Sequence, residues 1–237
     1  MRSISLPAVY LVTDRRRLSP DARTLDQEVT ALERLIDDAV AAEIDVIQIR
    51  ESEIAAALLL ALVQRVCRRV RGTRTRIVVN DRADVALIGG ADGVHLPSHG
   101  ISVAAVRSAM GTQLIGCSTH ADTKADKPMT ADYVLFGTVF QTRSKPGLSV
   151  PAGLSGLGVA ARTFQVPMFA IGGVTPERAA ACIRAGAAGV AAIAPFLPAG
   201  REPGSLGTAR AIAAFRETMA AGWKCSRSAD SCADLLE

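Results

Sequence analysis

Residues 167–192 read Pro-Met-Phe-Ala-Ile-Gly-Gly-Val-Thr-Pro-Glu-Arg-Ala-Ala-Ala-Cys-Ile-Arg-Ala-Gly-Ala-Ala-Gly-Val-Ala-Ala. A short apolar run, Pro167–Ile171, ends in two glycines. A helix start follows, with Thr175 as a capping hydroxyl, Pro176 at the first helical position and Glu177 facing the positive end of the helix dipole. Gly186 can take the left-handed turn that ends a helix over Pro176–Ala185. A second apolar run, Gly189–Ala192, comes next. Strand, helix and strand in so short a span form a crossover unit that joins parallel strands.

The same alternation runs through most of the chain. Candidate strands are Ala8–Thr13, Val46–Arg50, Arg76–Asn80, Gly93–Leu96, Leu114–Ser118, Tyr133–Gly137, Pro167–Ile171 and Gly189–Ala192. They are almost wholly apolar, as a sheet covered on both faces requires. Helical patterns fall over Leu25–Ala42, Glu53–Val70, Ala83–Ile88, Val103–Ala109, Asp122–Lys127, Gly153–Thr163, Pro176–Ala185 and Leu206–Met219. Eight such units predict an α/β fold of one domain, a (β/α)8 TIM barrel over residues 1–220. An open doubly wound sheet is the alternative. From Ala221 the periodicity is lost, and residues 221–237 are expected to form a flexible tail. No internal repeat of fixed period is visible.

Composition narrows the function classes. Hydrophobic residues make up 49% of the 237-residue chain and charged residues 21%, which excludes a disordered or collagen-like protein. Lysine and arginine number 27 against 23 acids, a net charge of +4 that suits an anionic small molecule. With only six Phe, two Tyr and one Trp there is little to stack bases, so no nucleic-acid partner is expected. Cys67, Cys117, Cys182, Cys225 and Cys232 show no paired spacing. Neither a disulfide framework nor a zinc site is implied, and a reducing, cytoplasmic setting is expected. Residues 4–12 read as a first strand in place of a signal peptide. Ala185–Gly200, the longest uncharged run, is short for a membrane span and rich in Gly and Pro, so no membrane partner is expected. Self-association is left open.

In a parallel barrel the site lies where the strands end. Those ends carry Thr13-Asp14, Gln48 with Arg50-Glu51, Asn80-Asp81, Ser118-Thr119-His120, Thr142-Arg143-Ser144-Lys145-Pro146-Gly147 and Gly172-Gly173. Gly172 and Gly173 precede a helix start, where free amides attract an oxyanion; a tight turn that binds nothing is the competing reading. Thr142, Ser144 and Lys145 supply hydroxyls and a cation suited to phosphate, or belong to a solvated loop. Asp81 offers a hard oxygen to magnesium, or caps the next helix. Arg50 at a strand end needs an anion, from a ligand or from Glu51. His95 reads as a core histidine. His99 and His120 lie in loops without metal-ligand spacing, and Arg65–Arg76 reads as a solvated helix face and turn.

These pieces, in this order, resemble the thiamine phosphate synthase and TenI family. The matching stretches are Tyr10–Asp14, Gln48–Glu51, Val79–Arg82, Ala91–Leu96, Gly116–His120, Ala131–Gly137, Thr142–Gly147 and Ala170–Thr175. The resemblance implies a (β/α)8 barrel that joins hydroxymethylpyrimidine diphosphate to thiazole phosphate, giving thiamine monophosphate and pyrophosphate. It further implies that Gln48, Arg50, Asn80 and Lys145 hold the pyrophosphate and that Asp81 ligates magnesium. Ser118 places the pyrimidine. Thr142, Ser144, Gly172, Gly173 and the Val190–Ala194 backbone, including Ile193 and Ala194, hold the thiazole phosphate. Arg50, Asp81, Ser118 and Lys145 form the implied catalytic set. The chain departs from the family pattern at Ser52, where the synthases carry lysine, and at Pro97-Ser98-His99-Gly100, where they read Gly-Gln-Glu-Asp. The TenI branch, aminothiazole tautomerases, carries its histidine where Thr138 stands. A tautomerase using His99 or His120, or a non-catalytic binder of thiazole phosphate or thiamine phosphate, are the alternatives.

Overall fold

The computed structural model describes residues 4–121, 130–142, 150–202 and 204–233. Eight parallel strands close into a barrel in chain order, β8 pairing with β1. They are β1 (Ala8–Val12), β2 (Val46–Ile49), β3 (Arg76–Asn80), β4 (Gly93–Leu96), β5 (Leu114–Thr119), β6 (Tyr133–Phe136), β7 (Met168–Ile171) and β8 (Gly189–Ala192). The helices are α1 (Arg15–Leu18), α2 (Leu25–Ala41), α3 (Ala56–Arg69), α4 (Ala83–Gly89), α5 (Val103–Met110), α6 (Gly153–Thr163), α7 (Pro176–Arg184) and α8 (Thr208–Ala233), with a 3-10 turn at Ala194–Phe196. The closed ring excludes the open sheet. The helix expected over Asp122–Lys127 lies outside the described residues.

Apolar residues on both strand faces find different partners. Val9, Leu11, Ile47, Ile49, Ile77, Val79, Val94 and Ile115 pack outward against the helices. Tyr10, Val12, Val46, Val78, Tyr133, Leu135, Phe169 and Ala191 fill the barrel itself. Tyr10, Tyr133 and Phe169 meet with ring centroids 5.6–5.9 Å apart. Gly116 makes room for them: a β-carbon there would stand 2.1 Å from Tyr133 Cζ.

The end of the barrel opposite the strand termini is closed by a recurring device. Asp45, Asp92 and Asp132 immediately precede β2, β4 and β6. Their carboxylates accept the N–H groups of Val9, Ile77 and Ile115 on the preceding strands, at 2.9, 2.9 and 2.7 Å. Arginines meet each from outside: Arg74 and Arg216 at Asp45, Arg76 at Asp92, Arg107 at Asp132. Ala188 holds the fourth such position, before β8. Unequal spacing along the chain hides this repeat from a fixed-period reading.

Some expectations change. Thr175 makes no capping bond; its hydroxyl bonds to Glu177, the main reason that carboxyl lies below the usual range. Asp81 does not cap α4, whose N-cap is Arg82. α1, capped by Asp14 accepting from the Arg17 N–H, was not foreseen. α8 runs on past Met219 to Ala233. Gly222 lets it approach α7 closely, since a β-carbon there would lie 2.8 Å from the Ala180 carbonyl oxygen, and Trp223 packs against the core.

Candidate active site

The strand ends gather two groups of polar residues. The first is a layer inside the barrel. Gln48 is 2% exposed and its amide nitrogen donates to the Tyr10 hydroxyl at 3.0 Å. The Tyr10 and Tyr133 hydroxyls lie 3.1 Å apart, and burial pushes both phenols above their ordinary range. His95 stacks on Tyr133, ring centroids 5.8 Å apart, and lies beside Asn80 in the β3–β4 register. Its Nε2 is 2.9 Å from Ser118 Oγ. Burial lowers its pKa to about 3, so the ring is neutral and carries one proton. Nδ1 is buried with no partner among the described residues. A buried N–H without an acceptor is the costlier orphan, which puts the proton on Nε2. His95 therefore donates to Ser118, and the serine hydroxyl hydrogen is left for a ligand acceptor.

Above this layer sits Asp81. It is exposed, with φ 62°, in the left-handed region. The Arg82 N–H donates to the Asn80 carbonyl at 2.8 Å across it, a three-residue turn whose positive-φ form is rare and strained. The Asp81 N–H donates to the His95 carbonyl at 2.8 Å. Its carboxylate has no hydrogen bond or ion pair among the described residues. Gly100 lies alongside, where a β-carbon would stand 3.3 Å from Asp81 Oδ1.

Of the two anions open to Arg50, a ligand or Glu51, Glu51 is taken by other partners. Glu51 is 3% exposed and binds the Thr13 hydroxyl at 2.7 Å and the Arg15 guanidinium at 2.9 Å. Burial raises its pKa, opposed by those two bonds. Arg50 is exposed, so its guanidinium stays hydrated and needs no buried counter-ion. Among the described residues its N–H is tied, donating to Thr13 Oγ1 at 2.9 Å.

The second group joins the loops after β6 and β7. Gly172 and Gly173 have φ 96° and 61°. At Gly173 a β-carbon would fall 2.4 Å from the Gln141 carbonyl oxygen, so only glycine fits this close approach. The Phe140 N–H donates to the Gly172 carbonyl at 2.9 Å. Thr142 follows this segment directly and is half-buried. Ser144 and Lys145 lie outside the described residues. Ile193 follows β8 and packs on the interior layer; Ala194 begins the 3-10 turn. His120 Nδ1 contacts the Gly137 carbonyl, next to Thr138.

The structure thus places Asn80, Asp81 and Ser118 beside His95, connects Gln48 to that ring through Tyr10 and Tyr133, and joins Gly172, Gly173 and the root of Thr142. Sequence reasoning missed the roles of Tyr10, Tyr133 and Glu51. A glycine opposite a tyrosine in adjacent strands was the one available signal for the tyrosines.

Among the described residues no cluster of three or more His, Cys, Asp or Glu could hold a metal, and no helix is long and apolar enough to cross a membrane. Magnesium commonly takes one or two protein carboxylates and completes its shell with water and substrate phosphate. Asp81, exposed and without a hydrogen bond or ion pair among the described residues, fits that pattern with one ligand.

A closed (β/α)8 barrel with polar residues gathered at the carboxyl ends of its strands is the architecture of a barrel enzyme. A family model described as thiamine monophosphate synthase matches residues 9–196. The thiamine-phosphate synthase of Roseiflexus sp. is 37% identical over 198 residues, 81% of this chain and 78% of that one. That of Chlorobium luteolum is 34% identical over 207 residues, 86% of this chain and 96% of that one. The thiamine phosphate pyrophosphorylase structure from Pyrococcus furiosus shares the fold, with TM-score 0.72, 24% identity, and 91% and 96% of the two chains covered. The chain belongs to the thiamine monophosphate synthase family.

Proposed function

We propose that this protein joins hydroxymethylpyrimidine diphosphate to thiazole phosphate, forming thiamine monophosphate and releasing pyrophosphate. The observation that carries this reading is Asp81: a carboxylate with no hydrogen bond or ion pair among the described residues, held in a strained turn whose N–H donates to the His95 carbonyl. Ser118, its hydroxyl hydrogen freed by His95, donates to a pyrimidine ring nitrogen. Gln48 lies too deep, bonded to Tyr10, to suit a hydrated diphosphate, and we assign it to the pyrimidine end. Arg50, Asn80 and Lys145 hold the diphosphate. Asp81 would hold magnesium, which neutralises charge on the leaving pyrophosphate. Departure leaves a pyrimidine-methyl cation. The polar but uncharged interior layer surrounds it, with both tyrosines kept protonated by burial. Thr142, Ser144, Gly172, Gly173, Ile193 and Ala194 hold the thiazole phosphate so that the ring nitrogen attacks at close range. Soluble phosphorylated substrates and a cysteine spacing that implies no disulfide framework support a cytoplasmic setting, and self-association belongs to the same proposal.

The test is turnover. Purified protein, both substrates and magnesium yield thiamine monophosphate, and Asp81→Asn abolishes the yield. No product at high enzyme removes the reading.

One observation favours a second reading. His120 stands beside Thr138, where the tautomerase branch places its histidine. Proton exchange of the unrearranged thiazole tautomer in deuterated water, followed by NMR, decides it; a rate unchanged by the protein counts against it.

A further inference from the structure

One side chain ties the loops after β6 and β7 together. Arg178, in the first turn of α7, donates from Nη1 to the Gly173 carbonyl at 2.7 Å. Its guanidinium carbon lies 4.8 Å from the centre of the Phe140 ring. Backbone bonds run alongside, Val139 N–H to the Ile171 carbonyl at 3.0 Å and Phe140 N–H to the Gly172 carbonyl at 2.9 Å. Gly173 presses on the same loop, with a built β-carbon 2.9 Å from Phe140 Cβ.

We propose that Arg178 is a positioning residue that holds the Gly172–Gly173 turn and the root of the Thr142 loop in one preformed phosphate cradle. The inference rests on the phosphate reading of the glycine pair given above. A carbonyl turned toward a phosphate repels it. Arg178 occupies the Gly173 oxygen with a cation. The Gly173–Val174 peptide is planar and trans, so a fixed carbonyl also fixes the Val174 N–H, pointing the opposite way. The guanidinium cation meanwhile lies over the Phe140 ring and stops that loop from lifting. Arg178 touches no reacting atom in this account; it acts through Gly173 and Phe140.

The test uses the intact protein and the variants Arg178→Ala and Arg178→Lys. Hydrogen exchange at the Phe140 amide reads the clamp without any ligand. Calorimetry with thiazole phosphate and with inorganic phosphate reads the cradle, and steady-state kinetics separate the substrates. Arg178→Ala is expected to speed Phe140 exchange about tenfold and to weaken thiazole phosphate binding about tenfold. The KM for the diphosphate substrate and kcat stay within about twofold. Arg178→Lys keeps a cationic donor, loses the guanidinium fork that reaches both Gly173 and Phe140, and falls between. Thermal unfolding at the wild-type temperature shows an intact fold, as expected for an exposed side chain. Unchanged Phe140 exchange overturns the clamp. Faster exchange with unchanged phosphate affinity overturns its link to the cradle. If the wild-type protein binds inorganic phosphate but not thiazole phosphate, the substrate reading fails, and Phe140 exchange with inorganic phosphate binding still decides the role of Arg178.

Discussion

Gly100 lies against Asp81: a β-carbon built on the glycine stands 3.3 Å from the aspartate Oδ1. The family pattern places an aspartate at this position, so the geometry explains what the glycine removes. The backbone at Gly100 does not need positive φ, and a side chain would press the Pro97 ring, 3.0 Å away, and the Asp81 carboxylate, which must each give by a few tenths of an ångström. Gly100→Asp should therefore place two carboxylates side by side. Calorimetric titration of the substrate-free protein with magnesium is expected to show about tenfold tighter binding in the variant. Equal affinity would show that the two side chains do not converge.

Asp81 combines strain with an expected role, and substitutions can separate them. Glycine accepts φ 62° without steric cost, a relief that outweighs its extra loss of chain entropy in so strained a turn. Asp81→Gly should stabilise the fold by roughly 0.5–1 kcal/mol in urea unfolding while abolishing turnover. Asp81→Asn keeps the side-chain shape and a tolerance for left-handed backbone, and should lose turnover at unchanged stability. Full activity in either variant would contradict the role given to the carboxylate.

His95 makes stability depend on pH. Its pKa falls from 6.5 to about 3 on folding, because burial penalises the charged ring. The contribution is complete above pH 6.5. Below it the unfolded chain binds a proton that the folded ring refuses, and stability falls by roughly 1.4 kcal/mol per pH unit until the folded pKa is reached. Urea unfolding between pH 7 and pH 4.5 should show this slope, and His95→Gln should flatten it. The same slope in both proteins would assign the effect elsewhere.

The buried pair of Arg15 and Glu51 lies under the mouth, with side-chain exposures of 8% and 1%. Arg15→Met leaves an uncompensated carboxylate and should cost about 3 kcal/mol in chemical denaturation. Arg16→Met breaks only an exposed pair with Glu53 and should change stability by less than about 0.5 kcal/mol. Equal effects would show that burial does not set the difference.

The barrel was legible because strands apolar on both faces leave a closed, helix-wrapped ring as a natural solution, and because Gly172-Gly173 and Thr175-Pro176 mark a strand-to-helix turn. Other features depend on tertiary contacts. Four residues of α1 are too few for periodicity. Glu51 meets Arg15 and not its chain neighbour Arg50, a choice set by which side of the strand end is buried. Gln48 and Tyr10 meet only once β1 and β2 are in register. The continuation of α8 hangs on Gly222 and Trp223 packing into the fold, which outweighs a run of small and polar residues.

The most direct measurement is a crystal structure of the protein with thiazole phosphate, a non-reactive analogue of the pyrimidine diphosphate, and magnesium. The account predicts the thiazole phosphate on the Gly172–Gly173 turn, the pyrimidine ring at Ser118, and the metal on Asp81 with water and diphosphate oxygens completing its shell. A diphosphate seated away from Asp81, or a thiazole phosphate away from the glycine pair, would contradict it.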